Sequence, residues 1–563
     1  MMKKADIILI NGKIYSVTKN DAVISGQGVA IKDGVIVKVG SNEEIKVYAD
    51  KNTKTIDCER NTVLPGLCDA HCHPSIAAAV ASGCDLFGIY IQEGETQDEI
   101  IDKYLQRLKK HIDEHPDDKI IRGAGWVIGN FMGSDVIPTR HDIDKICSDR
   151  PVILESFCQH NLWVNTKAIE AAGLDKDTPD VKTGKIYRCN DGYPQGVFND
   201  PEAMAYIKLG VPGYDLTVEE YKNALLWYQQ ECANKYGVTL VQDCMHSDNA
   251  RQAYKELAGE GKLTLRIRGV YHLEPDKYSQ QMNEFIGRKG KDNSNDDFRI
   301  DTVKIFTEGM FNLLEPYEEN FAKENEIGET RNVPLYWEDS VFEEYAAKAM
   351  EAGFNVHVHA MGDGAVKQAV KCLVGAQHKT ELKPRNIIAH LMLVDDEDAI
   401  TMGKEGIIGN CQPRWMVYDS DINAAVGMMG QERANKNYPF RKFINAGVDV
   451  SFGTDFPVTP PPDTMHEIQC AMTRSVFPDA PDYQQYEGRV LGKEKPATLE
   501  ECIKALSING AYQMFMEEKT GSIEEGKSAD LVILDSDLEA SPLDEIYEIR
   551  VKKTIFKGKV VFE

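Results

Sequence analysis

Two histidines one residue apart, His71 and His73 in Asp69-Ala70-His71-Cys72-His73-Pro74, are the first residues of this chain whose types and spacing suggest chemistry. They follow a turn signal at Pro65-Gly66 and a short apolar run that reads as a strand. Successive side chains of a strand point to opposite faces, so both imidazoles project the same way. Imidazole is the commonest protein ligand for zinc and its neighbours. Cys72, between them, points to the other face and reads as a packed thiol. Such a pair also arises by chance beside a turn, so its meaning depends on what else the fold brings to it.

Further polar groups stand at the ends of later apolar runs. Lys304 shares a strand face with Ile300, Thr302 and Phe306. His357 and His359 share a face just before Ala360-Met361-Gly362-Asp363, His390 ends the run from Ile387, and Asp455 follows Ser451-Phe452-Gly453-Thr454. Imidazoles, an amine and a carboxylate gathered at one end of a fold would suit one or two divalent metal ions. The ordinary alternatives are a rim lysine in an ion pair and core histidines, and Asp243, at the end of another strand candidate, could simply be a cap.

Gathering them requires particular elements. Residues 5–62 read as short strands, with hairpin signals at Asn11-Gly12 and Asp33-Gly34. A comparable run closes the chain, from Asp530 through Val551 to Phe562 with a turn at Lys557-Gly558. Neither end is large enough to stand alone, so the two are expected to form one small β-sandwich from residues 1–62 and 520–563. Between them, over 63–519, eight apolar runs alternate with helical stretches, which predicts an α/β fold, a (β/α)8 TIM barrel whose site lies at the C-terminal strand ends. The chain between His73 and the next candidate strand at Val238 is far longer than the ~30 residues of one βα unit. A large insertion after barrel strand 1, about 76–235, is therefore expected, with a hairpin from Gly184 to Phe198, hanging over the barrel mouth as a lid or substrate wall.

Composition bounds the rest. The 563 residues are 42% hydrophobic and 27% charged, an ordinary globular balance with room for at least two domains. A net charge of −26 argues against nucleic acid or an anionic membrane as partner. The 13 cysteines are odd in number and irregularly spaced, without a Cys-X-X-Cys pair, which favours a reducing, cytoplasmic setting over a disulfide framework. The apolar run at the N-terminus is too short for a signal core, and no run approaches the ~20 residues of a membrane span. No Gly-X-Ser-X-Gly elbow is present to supply a serine nucleophile. A small-molecule substrate is expected, and a homodimer is compatible with the chain.

The ordered set of motifs resembles the amidohydrolase superfamily, and within it amidohydrolase family 3 (the YtcJ-like and N-substituted formamide deformylase-like branch). The matching segments are Leu64-Pro65-Gly66 before Asp69-Ala70-His71-Cys72-His73, Val303-Lys304-Ile305-Phe306, His359-Ala360-Met361-Gly362-Asp363, Ala389-His390, Gly453-Thr454-Asp455-Phe456-Pro457-Val458, and Gly521 to Val532. The resemblance implies that His71 and His73 hold a more buried metal and His359 and His390 a more exposed one. Zinc is the metal expected, with Lys304 bridging as a carbamate. By the same resemblance Asp455 binds metal and acts as general base and then acid, and His160 faces the substrate.

Two positions depart from the usual pattern: Glu308-Gly309-Met310 where Asp-Gly-Ser is commoner, and Leu391-Met392 where Ala-Gln follows the histidine. Glu308 joins Trp126 and Trp415 as an expected substrate contact. Phe131, Met132, Trp163, Met310, Phe311 and Met416 are further candidates for an apolar pocket, although such residues are more often core.

The chemistry expected is hydrolysis of a carbon–nitrogen bond other than a peptide bond, an amide or formamide, by a metal-activated hydroxide. His160 would hydrogen-bond the developing oxyanion. The alternatives are a cyclic-amide or ester hydrolase on the same site, or a catalytically silent metal-binding scaffold.

Overall fold

The structure is a computed structural model; it describes residues 4–563 apart from 93, 132, 133, 135, 182, 183, 276, 310–312 and 314–333, and the backbone alone at 201 and 428. Its centre is an eight-stranded parallel sheet curled into a barrel. In chain order the strands are β1 (Leu67–Cys72), β2 (Val238–Asp243), β3 (Arg266–His272), β4 (Phe298–Phe306), β5 (Asn355–Ala360), β6 (Ile387–His390), β7 (Ile408–Cys411) and β8 (Val450–Phe452). Each pairs with the next in parallel, and helices such as Asp339–Glu351 and Asp363–Gln377 join them. These strands are buried on both faces, as a parallel sheet covered by helices requires. The alternation in sequence is therefore that of a (β/α)8 barrel.

Closure between β8 and β1 depends on a residue without a side chain. A Cβ on Gly453 would lie 2.5 Å from the His71 N and 2.8 Å from its O. With glycine there, the Asp455 N–H donates to the His71 carbonyl (2.8 Å) and the His73 N–H to the Phe456 carbonyl (2.8 Å). The seam of the barrel thus ties the chain around His71 and His73 directly to the chain around Asp455.

The two chain ends build one sandwich. Its four-stranded sheet runs Val35–Gly40, Gly28–Lys32, Ile7–Ile10, Lys54–Asp57, and its six-stranded sheet runs Lys559–Phe562, Val551–Phe556, Leu531–Leu534, Thr62–Pro65, Lys13–Val17, Val23–Gly26. Leu9, Val29 and Ile31 of one sheet and Ile14, Leu531 and Ile555 of the other share a core. The strand Thr62–Pro65 pairs inside this sandwich, across the boundary read at residue 62. Asp33-Gly34 and Lys557-Gly558 turn hairpins with both residues at positive φ, as a tight two-residue connection demands. Asn11-Gly12 does not. Ile7–Ile10 and Lys13–Val17 lie in different sheets, so this turn carries the chain from one layer to the other and the hairpin expected there is absent. A local turn signal reports the reversal of the chain and not the partner of the strand that follows.

Between β1 and β2 the inserted chain forms its own six-stranded sheet, in the order Lys185–Arg188, Pro194–Asn199, Asn161–Val164, Val152–Ser156, Ile121–Trp126, Cys84–Asp85. Lys185–Arg188 and Pro194–Asn199 pair antiparallel, the hairpin expected from Gly184 to Phe198. Two separate apolar clusters, one around Tyr104, Trp126 and Trp163 and one around Phe198 and Ile207, give it a core distinct from the barrel's.

Candidate metal centre

The parallel register puts the polar residues at one end of the barrel. Lys304 on β4 lies opposite His357 on β5, and His359 lies opposite Ala389 next to His390 on β6. His71 and His73 leave β1 with their Nε2 atoms 3.3 Å and 3.1 Å from the Asp455 Oδ1. These three donor atoms lie within 4.8 Å of one another, a spacing that suits a shared cation. The Lys304 Nζ is 3.4 Å from the His71 Nε2. The ring centres of His71 and His390 are 4.7 Å apart, and those of His359 and His390 4.5 Å. All seven of these polar side chains are buried.

Backbone and neighbours hold this cluster in place. His390, Leu391 and Asp455 have φ of +78°, +50° and +57°, a left-handed conformation that costs a side-chain-bearing residue of order 1 kcal/mol or more. Strain of this kind persists only where surroundings enforce it. At Asp455 they do: the Asp69 carboxylate accepts from the Thr454 N–H (2.9 Å) and hydroxyl (2.6 Å), fixing the turn that carries Asp455. Asp243, at the end of β2, accepts from the Tyr254 hydroxyl (2.7 Å) and the Ser75 N–H (3.2 Å), which anchors the chain just after His73.

Burial dominates the electrostatics. It pushes His71, His357 and His359 well below the usual imidazole range, aided by neighbouring Lys304 and His390, so these rings are neutral and able to act as ligands. His390 falls to about 4 for the same reason. The Lys304 amine is driven down by burial to about 8. Burial also opposes ionisation of Asp455, but its hydrogen bond with His73 and the adjacent His390 and Lys304 outweigh it and hold the carboxyl below its ordinary value.

Period-two alternation left His357 and His359 on the same face, and the structure separates them. The His357 Nε2 is 2.9 Å from the His71 Nδ1, and its Nδ1 is 3.1 Å from the Gln242 Oε1, so both nitrogens are engaged. The His359 Nε2 is buried without a hydrogen-bond partner. A buried, neutral and unpartnered imidazole nitrogen, on a ring centred 4.5 Å from that of another histidine, has the chemistry of a metal ligand. The donor set of histidines and one carboxylate fits a zinc-like cation.

The expected substrate contacts divide. Trp415 is half-buried, stacks on His390 (5.4 Å, 22°) and donates its indole N–H to the Thr459 Oγ1 (2.7 Å), so it borders the cluster. His160, in the insertion, is half-buried with its Nδ1 2.9 Å from the Asp200 Oδ1. Asp200 lies against Gly309, in the chain just after β4, so the insertion meets the C-terminal end of the barrel there. Trp126 is a correction. It is fully buried in the insertion's own core between Phe131 and Trp163 and donates to the Leu154 carbonyl (3.0 Å), which leaves no face for a substrate.

Glu308 supports the site's frame through one of its carboxylate oxygens. It is fully buried and its Oε1 accepts the N–H groups of Met361 (2.5 Å) and Gly362 (2.9 Å), bracing the loop after His359. Phe131, Trp163 and Met416 are core, Cys72 is a packed thiol, and Met132, Met310 and Phe311 lie outside the described residues. Sequence reasoning passed over Asp200, Gln242 and Gln412. Only Gln242 and Gln412 had a visible cue, as amides at or beside inward-facing ends of barrel strands.

Known proteins resemble this chain in sequence and in fold. The family model described as "Amidohydrolase family" matches residues 54–562. The chain is 26% identical over 548 residues to YtcJ of Bacillus subtilis, named as an amidohydrolase, covering 95% of this chain and 96% of that one. It is 23% identical over 574 residues to the N-substituted formamide deformylase of Arthrobacter pascens, covering 100% and 99%. In fold it is similar to a metal-dependent hydrolase of Pyrococcus horikoshii of uncharacterised activity, with a TM-score of 0.72 at 21% identity over 95% of this chain and 99% of that one.

Proposed function

The chain belongs to the amidohydrolase family, and from that premise we propose that it is a metal-dependent hydrolase of a carbon–nitrogen bond, an amide or formamide, in a small molecule. The observation that carries this reading is the cluster of the His71 Nε2, the His73 Nε2 and the Asp455 Oδ1 within 4.8 Å, beside the unpartnered Nε2 of His359. His71, His73 and Asp455 would hold one cation and His359 and His390 a second, with zinc the metal proposed. A cation held there supplies Lewis acidity and makes water nucleophilic at neutral pH.

The rest falls to the chain's own residues. Asp455, ionised and at hydrogen-bond distance from His73, would take a proton from the attacking water and return it to the leaving nitrogen. His160, held by Asp200, would bond the substrate's carbonyl oxygen as it gains charge. Trp415 would form part of the wall for the apolar portion of the substrate. Lys304 is proposed as a carbamate: its amine, held to about 8 by burial, is partly neutral near pH 7. The neutral nitrogen adds to carbon dioxide, losing one proton, to give an anion placed between the histidines.

The formamide reading rests on similarity to the deformylase. It is tested by offering N-formyl, N-acyl and cyclic amides, together with esters, to protein loaded with zinc or manganese, and measuring the released amine or acid. Turnover of formamides that disappears with chelator supports it. Turnover of esters alone, or turnover that survives chelation, would overturn it. Incorporation of isotope-labelled bicarbonate at Lys304, followed by carbon NMR, tests the carbamate separately.

A further inference from the structure

Beneath the cluster, the barrel is floored by buried amides instead of the branched aliphatic layers usual in such barrels. From His71, the Nδ1 meets the His357 Nε2 (2.9 Å), and the His357 Nδ1 meets the Gln242 Oε1 (3.1 Å). The Gln513 Nε2 donates to that same oxygen (2.6 Å) and to the Ala70 carbonyl (2.7 Å). On its other side the Gln513 Oε1 accepts from the Ser451 hydroxyl (2.5 Å), which in turn accepts from the Asn410 Nδ2 (3.0 Å). The Gln412 Nε2 donates to the Asn410 Oδ1 (2.8 Å), and the Gln412 Oε1 lies 3.0 Å from the His390 Nδ1. One continuous chain of hydrogen bonds therefore links His71 on β1 to His390 on β6, and its midpoint, Gln513, comes from the helix Ile508–Gln513 near the C-terminus.

The direction of every bond in this chain is forced. The Gln513 amide nitrogen spends both protons, on Ala70 and Gln242, so the Gln242 Oε1 is an acceptor there and His357 must bring a proton on Nδ1. The His357 Nε2 is then a lone pair, and His71 must carry its proton on Nδ1. Along the other arm, the Ser451 proton goes to Gln513, Asn410 gives its proton to Ser451 and Gln412 to Asn410, and the Gln412 Oε1 is left to accept from the His390 Nδ1. Both histidines end as Nδ1–H tautomers with bare Nε2 atoms, the form a metal ligand requires.

We infer that Gln513 is a positioning residue for the metal centre, holding His71 and His390 in their ligating tautomers from a helix outside the barrel. This rests on the reading of those two histidines as metal ligands. Gln513, Gln242, Asn410, Gln412 and Ser451 are buried, so no bulk water stands ready to replace a lost partner.

Two variants divide the chain into its arms. Gln513→Glu keeps the size and, measured at a pH high enough to ionise the new carboxyl, still accepts from Ser451 but cannot donate to Gln242. The Gln242 amide then turns its NH2 toward the new carboxylate, His357 shifts its proton to Nε2, and His71 is driven to the Nε2–H form. Ser451→Ala breaks only the arm to His390. The tautomers are read by nitrogen NMR of histidine-labelled, metal-free full-length protein, and metal affinity by competition for zinc against a chromophoric chelator, with thermal melting as the check on folding.

The expected result is loss of the Nδ1–H signature of His71 alone in Gln513→Glu, with zinc binding ~10–100-fold weaker, and in Ser451→Ala a mixture of the two tautomers at His390 alone, with a smaller loss of zinc binding. Unchanged tautomers in both folded variants, or zinc affinity of Gln513→Glu within about threefold of the parent, would overturn the inference. If the parent binds no zinc, the metal reading falls, and the arm-specific tautomer shifts still decide whether Gln513 sets the proton positions. If Gln513→Glu does not fold, Ser451→Ala carries the same test on the His390 arm.

Discussion

Asp455→Asn is the most telling single perturbation. Asparagine is nearly isosteric and tolerates the φ of +57° that Asp455 adopts, whereas alanine would add strain of order 1 kcal/mol and confuse the result. Geometry is thus preserved and two properties are removed, the negative charge and the ability to take a proton. The carboxylate Oδ1 stands 3.1 Å and 3.3 Å from the two imidazole nitrogens, in a position to serve whatever they bind.

General acid–base assistance is worth ~10²–10⁴ in rate, which corresponds to about 2.7–5.4 kcal/mol of barrier at 1.36 kcal/mol per decade. The assay is kcat and KM on the best amide from the substrate panel, with metal content measured on the same sample at saturating zinc. We expect kcat to fall at least ~100-fold while His71, His73, His359 and His390 keep zinc bound. A variant that retains zinc and turns over within about threefold of the parent would refute proton transfer by Asp455. Loss of zinc together with activity would assign Asp455 a ligand role only.

Three other outcomes follow from the geometry. His390 falls to about 4 in the folded protein against about 6.5 unfolded. The unfolded chain binds more protons between those values, so stability drops as pH falls from about 6.5 toward about 4, by up to about 3 kcal/mol for this residue. Asp69, raised to about 6 by burial, works in the opposite direction, so the check is the difference in urea midpoint with pH between metal-free parent and His390→Asn, which should be flatter in the variant. Gly453→Ala would drive a Cβ to within 2.5 Å of the His71 backbone, opening the β8–β1 seam. It should cost upwards of about 1–3 kcal/mol in denaturation and abolish tight zinc binding. Trp126→Phe removes the indole bond to Leu154 inside the insertion core. It should cost about 1 kcal/mol of stability with KM unchanged, and a raised KM at unaltered stability would restore Trp126 to the substrate wall.

Much of the barrel was legible because its code is local. Each strand is a short apolar run, and period two alone puts His71 with His73, and His357 with His359, on one face. The site was legible to the extent that its residues sit at strand ends, since parallel register then brings them to one rim. What pattern reading did not reveal at Trp126 and Glu308 has one cause. Trp126 and Glu308 each lie at or near the end of a strand, yet their side chains meet Leu154 and the Met361-Gly362 loop, partners that pairing patterns do not reveal. Asn11-Gly12 carries a hairpin signal but joins two sheets, because strand partners are chosen by the sandwich core and not by the turn.

The sequence by itself determined the class of fold and the chemical types at its open end, for periodicity and side-chain identity are properties of the chain read one window at a time. Which histidine offers a free nitrogen, and which spends both on its neighbours, was decided only in three dimensions. His71, His357, Gln242 and Gln513 meet across 443 positions of chain, counted from Ala70 to Gln513, and a proton on one ring fixes the next only when they touch. Tautomer, strain at Asp455 and closure at Gly453 are contact properties, and contact is what folding supplies.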